Sequence, residues 1–573
     1  MKKLKYLFTA MILLSVISCS EDFLDTNNLY QKGLENFYET PKDIQEAIGG
    51  VYNSLFVNDV LSEEHLAANL LSDYMLGGGG PDDITAKNID NFIDPAEDTY
   101  KSLWVETYNG VYRANAIIEA VNKNDYSKFF NTAAEAEEFK NTALGEAHFM
   151  RGFFMYRAAR FFGGMPLINT TDAPRDVARA TFTETFGQIA SDFKKAAETM
   201  PKINPASVPL KDYGHANVWV AKAYLARAYL FYTGYMTNME KQATAVIPLP
   251  EGGEVTKAMV VQHLEDVRDN SGYALAADFR NLWPYSYVNT SAGATVLPWA
   301  ENNGLNWVGQ DGPNGAVGTG NTEVMFSLRY AFGNWDWSNG QKYNNRVCLF
   351  FGIRGNDMVP FGQGWGWGPV HPTFYNEWSD DDIRKDGSVL AMGEADQATD
   401  SYQANKGDHE TGFVNKKYIT LQHQGDEGVK GMFYYLYGWS HGDPFQLWAA
   451  QDFFYLRFSD ILLMHSELTE TANGINAVRA RAGLASVSYS LDNLKKERLY
   501  EFAFEGLRWF DLVRWGDVEN NANNYYKKPA NVVNSGIPAV YTCNYRTETK
   551  GLLPIPESEI RLSNGVYEQN PGW

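Results

Sequence analysis

Three side-chain carboxylates, the groups that acid–base catalysis commonly uses, lie within one run of twenty residues. The run extends from Glu497 to Gly516 (ERLYEFAFEGLRWFDLVRWG). These carboxylates are Glu501, Glu505 and Asp511. The run predicts a single helix that is apolar on one side and carries charges of alternating sign at spacings of three and four elsewhere. Because each acid has an arginine within a turn, we interpret the three carboxylates as salt-bridged scaffold. Catalytic carboxylates in a cleft are the alternative.

Ten tryptophans between residues 271 and 450 have side chains suited to a different chemistry, contact with sugars. A sugar ring offers one apolar CH face and a rim of hydroxyls, so its binder needs exposed aromatic planes beside short polar side chains. We predict a ligand-binding platform of Trp283, Tyr285, Trp335 and Trp337, which flank proline or asparagine turns without a surrounding apolar run. For any single tryptophan, the alternative is a small core that pins a glycine-rich loop.

The composition is that of a globular protein with ample core material. The chain has 573 residues, of which 44% are hydrophobic and 21% are charged. A formal net charge of -21 argues against a nucleic-acid binder, whose surface should be basic. The 15 Trp and 34 Tyr exceed what most cores require, so we expect some of them at the surface.

The N-terminus reads as a secretion signal. Three lysines precede an apolar run from Leu7 to Ile17, which is too short to span a membrane. The run ends at Ser18-Cys19 and resembles a bacterial lipobox, so we expect residues 1–18 to be removed and Cys19 to be lipidated. Plain secretion with Cys19 inside the signal is the alternative. The other two cysteines, Cys348 and Cys543, have no spacing that requires a disulfide or permits a zinc site by themselves.

Helical patterns dominate residues 19–270. The first helix is predicted to have Thr40 as its cap and Pro41 in its first turn. Further helices are predicted over Tyr100–Asn122, Ala133–Phe162, Thr181–Met200 and His215–Tyr235. In the last of these, small residues alternate with aromatics, which lets antiparallel helices approach closely, as in tetratricopeptide repeats.

Helical periodicity fades between residues 271 and 450, and glycine, asparagine and tryptophan become more frequent. Short strands are predicted at Glu323–Arg329 and Lys417–Leu421. The rest is predicted to be long loop, and long loops in compact proteins usually carry function. The Gly77–Gly80 run has no phosphate-binding motif around it and is predicted to be a flexible loop.

Several separate motifs, in the same order, resemble those of the SusD/RagB family of bacterial nutrient-binding lipoproteins. They are CSEDFLDT, NFYETPKDIQEAIGGVYNSLF, EAHFMRGFFMYRAARFFGGMPLI, ERLYEFAFEGLRWFDLVRWG and LLPIPESEI. The resemblance implies a mostly α fold: a right-handed, tetratricopeptide-like helical scaffold with a large loop-rich insertion containing short strands. We therefore divide the chain into a signal (1–18), an N-terminal helical part (19–270), a ligand-binding insertion (271–450) and C-terminal helices with an extended tail (451–573).

The resemblance also implies a function. A family member would bind an oligosaccharide without cleaving it and deliver it to a SusC-like, TonB-dependent transporter. The acidic Ser20-Glu21-Asp22 is similar to the tag that directs such lipoproteins to the outer face of the outer membrane, where the lipid on Cys19 would hold them. Because family members often complete the site from their N-terminal region, Asp73 and Tyr74 are added to the predicted site. The acidic run that ends at Arg384 resembles an acidic-arginine element of the family, and we interpret Arg384 as a structural residue.

Two other functions remain open at this point. A surface glycoside hydrolase needs two opposed carboxylates about 5 to 9.5 Å apart, and acids such as Asp336, Glu377 and Asp380 lie near tryptophans. A RagB-type peptide-binding lipoprotein would use the same scaffold and the same transporter. No cofactor is expected, and the acidic run at Asp380–Asp382 lacks the spacing of a calcium loop.

Overall fold

The structure is a computed structural model that describes residues 37–56, 64–174, 176–287, 293–310, 320–330, 341–355, 358–426, 428–438, 445–518, 527–543 and 545–573. Three of the predicted functional residues, Cys19, Trp335 and Trp337, lie outside these ranges. Within them, no helix has both the length and the apolar character needed to cross a membrane.

The described residues are mostly helical, as predicted. The helices are α1 (Pro41–Asn53), α2 (Glu64–Leu71), α3 (Ile84–Asp90), α4 (Lys101–Lys123), α5 (Ala133–Phe162), α6 (Phe182–Thr199), α7 (Val218–Asn238), α8 (Lys257–Asn270), α9 (Pro298–Asn302), α10 (Arg346–Phe350), α11 (Pro372–Glu377), α12 (Arg384–Ser388), α13 (Met432–Tyr437), α14 (Phe458–Thr469), α15 (Asn473–Arg481), α16 (Leu491–Glu501), α17 (Arg508–Arg514) and α18 (Glu557–Leu562). The four long helices predicted before residue 240 are therefore confirmed, with ends that differ by at most three residues.

The strands are short and pair two by two. They are β1 (Val246–Pro248), β2 (Glu254–Thr256), β3 (Val324–Leu328), β4 (Ile353–Arg354), β5 (Gln363–Gly364), β6 (Val389–Ala391), β7 (Phe413–Asn415), β8 (Gln422–Gly425), β9 (Gly428–Gly431), β10 (Phe453–Arg457), β11 (Ala530–Asn534) and β12 (Ile537–Tyr541). β3 pairs with the distant β10, and the β4–β5 pair alone among these is parallel. The strand predicted at Glu323–Arg329 is confirmed as β3. The one at Lys417–Leu421 is wrong: this segment has irregular backbone, and the strand begins only at Gln422.

The first helix begins as its sequence predicts. The Thr40 hydroxyl accepts from the Asp43 amide at 3.2 Å, and the Asp43 carboxylate accepts from the Thr40 amide at 2.8 Å. This reciprocal pair satisfies two amides that the helix itself leaves unbonded, and Pro41 occupies the first turn. The apolar side of α1, which faces the core, consists of Ile44, Ile48 and Val51.

Small residues set the spacing of the long helices. Helices α4, α5, α6 and α7 each pack against the next along the chain. A Cβ at Gly110 of α4 would lie 2.3 Å from the Phe154 ring of α5, and one at Gly152 of α5 would lie 3.1 Å from the Phe193 ring of α6. The predicted packing of small residues against large ones is thus present. Tyr112 of α4 lies outside this packing and is 52% exposed.

The run from Glu497 to Gly516 is not one helix, contrary to the prediction. Helix α16 ends at Glu501 and α17 begins at Arg508. Between them, Phe504 and Gly506 have φ angles of 66° and 73°, and a right-handed helix cannot continue through left-handed residues. The break lets Phe504 and Gly506 pack against the segment around α2. There the Asn69 side chain donates to the Phe504 carbonyl at 3.1 Å and accepts from the Gly506 amide at 3.3 Å.

The carboxylates of this run are buried and paired, but mostly not with their helical neighbours. Glu501 accepts from Arg384 at 3.1 Å and from Arg457 at 2.8 Å, and it also bonds Arg481. Burial acts to raise the pKa of Glu501, but the three guanidiniums hold it well below its ordinary value. Glu505 bonds Arg457 and Lys417. The cluster therefore joins the C-terminal helices to β10 and to the central segment, and only Asp511 pairs along its own helix, with Arg514 at 2.8 Å.

Candidate functional site

Trp283, the first residue of the predicted platform, is buried. Its side chain is 0% exposed. The ring centroid lies 5.2 Å from that of Phe454 and 5.5 Å from that of Tyr418, and the Lys417 ammonium lies 4.9 Å from it. A ligand cannot reach this ring in the structure, so the prediction that Trp283 stacks on a ligand is wrong. The ring belongs to the core that covers the buried charge cluster.

Tyr285 is also a core residue. Its hydroxyl donates to the Gly387 carbonyl at 2.6 Å, and its ring meets that of Trp299 edge-on at 5.9 Å. Burial raises the pKa of Tyr285 well above its ordinary value. The proline turn that suggested an exposed ring instead folds Tyr285 inward, where the aromatic pair packs with the Lys416 ammonium.

Asp73 and Tyr74 connect two parts of the scaffold. Asp73 accepts two hydrogen bonds from Arg508, at 2.8 and 2.6 Å. The Tyr74 hydroxyl donates to Asn69 at 2.7 Å and accepts from the Phe504 amide at 3.1 Å. Tyr74 is 1% exposed, so its predicted contact with a ligand is wrong. Asp73 has its hydrogen-bonding oxygens committed to Arg508, which makes it a structural residue here.

The glycine run Gly77–Gly80 is packed, not flexible as predicted. A Cβ at Gly78 would lie 2.3 Å from Pro369, and one at Gly80 would lie 2.2 Å from the Arg354 guanidinium. Arg354 pairs with Asp83 at 2.9 Å. Glycine is required because the backbone approaches its neighbours too closely for any side chain.

Trp335 and Trp337 lie outside the described residues, but the residues that flank their segment are ordered against α1. Tyr330 and Tyr343 both contact the Phe56 ring, at centroid distances of 5.8 and 5.1 Å. The Tyr343 hydroxyl donates to Asn53 at 3.1 Å. Both ends of the segment that carries the two tryptophans are therefore held at the C-terminal end of the first helix.

Most of the other central tryptophans are core residues, but they belong to the main hydrophobic core and not to separate small cores. Trp299, Trp307, Trp367 and Trp378 are buried. Trp365 and Trp448 are half-buried, whereas Trp439 lies outside the described residues. Partial exposure is what a ring needs in order to be held by the protein on one side and to contact a ligand on the other.

Half-buried aromatic residues concentrate around α13, and we name this group the aromatic shelf: Tyr434, Tyr435, Tyr437 and Trp448. The β8–β9 hairpin leads directly into α13, and Met432 and Phe433 anchor the helix by packing inward. Phe433 meets the buried Trp307 edge-on at 6.1 Å. Since successive side chains on a helix point 100° apart, the tyrosines that follow Phe433 cannot all face inward with it.

Polar groups lie beside the aromatic shelf. The His423 ring is 4.1 Å from that of Tyr435, and its Nδ1 accepts from the Thr295 amide at 2.8 Å. Burial lowers the pKa of His423, which favours the neutral ring. The Lys430 ammonium lies 5.1 Å from the Tyr434 ring. Aromatic faces with adjacent short donors and acceptors match the two surfaces of a sugar ring.

A glycine lets the shelf tryptophan approach its neighbour. A Cβ at Gly431, the last residue of β9, would lie 2.8 Å from the Trp448 Cβ. Sequence reasoning singled out this stretch as rich in aromatics but named none of its residues as ligands. The sequence feature that could have identified the shelf is the run Phe433-Tyr434-Tyr435-Leu436-Tyr437. A helix this short cannot bury so many large side chains in succession.

Neither a metal site nor a disulfide is present in the parts of the chain that the structure covers. No group of three His, Cys, Asp or Glu side chains is placed to hold a metal ion there. Cys348 and Cys543 are both free thiols. Burial raises the pKa of the Cys543 thiol to about 11, which disfavours the reactive thiolate.

Of the acids considered for catalysis, three are buried and two are exposed at the surface. Glu501, Glu505 and Asp511 are buried within salt bridges. Lys385 pairs with Asp380 at 2.5 Å, and Lys528 lies 3.8 Å from Glu377. Asp336 lies outside the described residues.

Two family models match the two ends of the chain. A model described as the SusD family matches residues 363–573. A model described as starch-binding associating with outer membrane matches residues 22–230. The two matches together leave residues 1–21 and 231–362 uncovered.

Curated relatives match along the whole chain. A SusD-like protein P2 from Formosa agariphila is 24% identical over 100% of both chains. A SusD-like protein from Bacteroides ovatus is 23% identical over 90% of this chain and 82% of its own length.

Solved structures share the fold. Surface glycan-binding protein A from Bacteroides fluxus has a TM-score of 0.68 at 20% identity and covers 93% of this chain and 100% of its own. The corresponding protein from Bacteroides thetaiotaomicron, in complex with laminarihexaose, has a TM-score of 0.67 at 19% identity, covering 93% and 99%. A laminarin-binding SusD-like protein has a TM-score of 0.66 at 20% identity, covering 94% and 100%.

Proposed function

The chain belongs to the SusD/RagB family, and from that premise we propose that it is a non-catalytic, cell-surface protein that binds oligosaccharides. It hands its ligand to a SusC-like, TonB-dependent transporter in the outer membrane. A lipid on Cys19, exposed after removal of residues 1–18, anchors it to the extracellular face of that membrane. Residues 271–450 form the ligand-binding insertion on a helical scaffold built from 19–270 and 451–573.

The observation that carries the binding function is the aromatic shelf. Helix α13, which carries three of the four rings, is anchored by Phe433, whose ring meets that of Trp307. The fourth ring, Trp448, lies close to Gly431 of the β8–β9 hairpin. His423 and Thr295 add polar groups at the edge of the shelf. The shelf therefore combines partly exposed aromatic rings with adjacent hydrogen-bonding groups, the two features that sugar binding needs.

Trp335 and Trp337 are a second element of the proposed site. They are separated by one aspartate in a segment that also contains asparagine and serine. The ordered contacts of Tyr330 and Tyr343 with Phe56 support a defined position for the two ends of this segment.

Affinity electrophoresis and calorimetry with a polysaccharide panel that includes laminarin test the proposal. The protein lacking residues 1–19 is expected to be retarded by at least one glycan. Replacing two shelf rings, Tyr434→Ala and Tyr437→Ala, should weaken that binding about tenfold or more, because each ring contact contributes about 1 kcal/mol. Tyr112→Ala, which removes an exposed tyrosine of α4, is the matched control and should bind as the unaltered protein does.

A separate double variant, Trp335→Ala with Trp337→Ala, measures how much the second element contributes to glycan affinity. Loss of binding in both double variants, with unchanged melting temperatures, supports one site to which both contribute. Unchanged affinity in both would contradict the proposed site.

The same samples decide between the proposed function and the two alternatives. New reducing ends after incubation with a glycan would demonstrate a glycoside hydrolase. Retardation by no glycan, together with saturable peptide binding, would demonstrate a RagB-type peptide binder.

A further inference from the structure

A second concavity lies in the helical part of the chain, between α1, α5 and the connection from Met200 to Asn217. Its volume is about 530 Å³, within the range of about 300 to 1,000 Å³ that is typical of small-molecule sites. Its walls are largely apolar and include Ile48, Met200, Ile203 and Met325. None of the aromatic shelf residues lines it.

One carboxylate stands among these apolar walls. Glu146 of α5 is 8% exposed. Its Oε2 accepts from the Tyr52 hydroxyl at 3.0 Å and lies 3.0 Å from Nδ1 of His215. Tyr52 and His215 stack at a centroid distance of 4.4 Å, and the Tyr52 hydroxyl also accepts from the Ala216 amide at 2.7 Å.

The second oxygen of this carboxylate, Oε1, has capacity left. Among the described residues, no donor bonds to it. Tyr52 and His215 fix the orientation of the group through Oε2, so Oε1 is a positioned acceptor in the wall of an apolar cavity. A charged N–H donor is the strongest partner for a carboxylate.

We propose that this cavity is a binding site for a compact apolar amine, whose ammonium group donates to Glu146 and whose hydrocarbon body fills the apolar space. The described lining side chains include Glu146 and Asp212 and no lysine or arginine. The cavity therefore discriminates by charge: it favours a cation over an anion of the same size. This ligand is independent of the oligosaccharide at the shelf.

Two adjacent glycines of α1 provide a matched pair of variants. Gly49 lines the cavity and Gly50 does not. A Cβ at either position would meet no atom within 4 Å, and neither has a positive φ. Replacing glycine inside a helix by another residue favours the helix, so Gly49→Phe and Gly50→Phe should both fold. Only the first places a ring at the cavity wall.

The test uses phenethylamine as the probe and 3-phenylpropionate as an anion of similar size, with binding followed by calorimetry and ligand-observed NMR on the full mature chain. Phenethylamine should bind saturably, and 3-phenylpropionate should bind at least about tenfold more weakly, since a charged hydrogen bond is at stake. Gly49→Phe should abolish binding of phenethylamine, and Gly50→Phe should retain it.

A second variant, Glu146→Gln, keeps an oxygen acceptor for Tyr52 and His215 but removes the charge. It should weaken the binding of phenethylamine about tenfold. It should also reduce the difference in affinity between phenethylamine and 3-phenylpropionate. The proposal is overturned if phenethylamine does not bind, if the two probes bind equally, or if neither Gly49→Phe nor Glu146→Gln changes the affinity. Glycan retardation, measured on the same samples, reports on the shelf alone, so failure of one proposal is distinguishable from failure of the other.

Discussion

At the scale of single residues, Asp460 bridges two buried arginines. It is 0% exposed at the start of α14. One oxygen accepts from Arg227 at 2.6 Å and the other from Arg498 at 2.5 Å. Arg227 comes from α7 and Arg498 from α16, so one carboxylate ties the N-terminal helices to the C-terminal ones.

Replacing Asp460 by asparagine should therefore destabilise the protein strongly. Arg227 would lose the carboxylate it pairs with, and Arg498 would be left with Asp511, at 2.8 Å, while both stay buried. Breaking a buried pair costs about 3 to 5 kcal/mol. Urea unfolding followed by circular dichroism measures the loss. Glu46→Gln, which breaks the exposed Lys42–Glu46 pair of 3.6 Å, should cost less than about 0.5 kcal/mol. Equal effects of the two substitutions would contradict the assigned role of Asp460.

The same residue predicts a pH dependence. Burial acts to raise the pKa of Asp460, but pairing with Arg227 and Arg498 lowers it from 3.8 to about 2. The unfolded chain thus binds a proton at a higher pH than the folded one, so the contribution is complete above about pH 4 and is lost as the pH falls to about 2. The stability difference between the unaltered protein and Asp460→Asn should shrink by about 2 kcal/mol across this window. A difference independent of pH would refute the paired state.

Trp283 gives a prediction about the core. Because its ring is enclosed by Phe279, Tyr418 and Phe454, Trp283→Ala should leave a cavity and cost about 3 to 5 kcal/mol. Tyr434→Ala, at a half-buried ring of the shelf, should cost much less and act on glycan binding. Thermal unfolding compares the stabilities of the two variants. A Trp283→Ala protein with full stability and lost glycan affinity would restore Trp283 to the binding platform.

At the scale of elements, the break between α16 and α17 decides how the C-terminal helices dock. Gly506 has a φ of 73°, and a Cβ there would lie 2.8 Å from Nδ1 of His65. His65 cannot move away easily, since its ring stacks on that of Phe453 at 3.3 Å. The break, the start of α2 and β10 therefore meet at one closely packed point.

Substitution of Gly506 tests this packing. Gly483 also has a positive φ, 77°, but open space around its Cβ position. Gly483→Ala should cost about 1 kcal/mol from backbone strain alone, and Gly506→Ala at least about 1 kcal/mol more from overpacking. Chemical unfolding of both variants gives the difference. Equal losses of unfolding free energy in the two variants would mean that His65 can move away from the added methyl group at no cost in stability.

At the scale of the whole molecule, the C-terminal segment closes onto the N-terminal helices. Arg179 donates to the Glu568 carbonyl at 2.7 Å and to the Asn570 side chain at 2.9 Å. Asn570 in turn donates to the carbonyls of Phe162 and Leu553 at 3.0 and 2.7 Å. Long-range bonds of this kind hold the residues on either side of the short helix α18 against the N-terminal helices.

The membrane anchor is also a property of the whole molecule. In cells, the unaltered protein should incorporate an alkyne-labelled fatty acid and sediment with outer membranes, because several acyl chains on Cys19 give stable anchoring. Cys19→Ala should lose the label and move to a soluble fraction. Cys348→Ala is the control and should keep the label, since that thiol is buried. Unchanged labelling and sedimentation of Cys19→Ala would contradict the anchor.

Local signals in the chain determined where many helices lie. Thr40, Pro41 and Asp43 start α1 through contacts within four residues, and the boundaries of α5 follow from its cap and the glycine after it. Such features are readable because the interacting groups are neighbours in the chain. The family motifs at both ends are readable for the same reason.

Only the tertiary structure decided which aromatic rings face solvent and which charges pair. Trp283 and Tyr434 both lie in the central segment, yet Trp283 is fully buried and Tyr434 lies half-buried on a helix too short to hide it. Glu501 has arginines nearby in the chain but bonds Arg384 and Arg457, more than 40 positions away. Burial and pairing are settled by residues brought together from distant parts of the chain, and no local pattern contains that information.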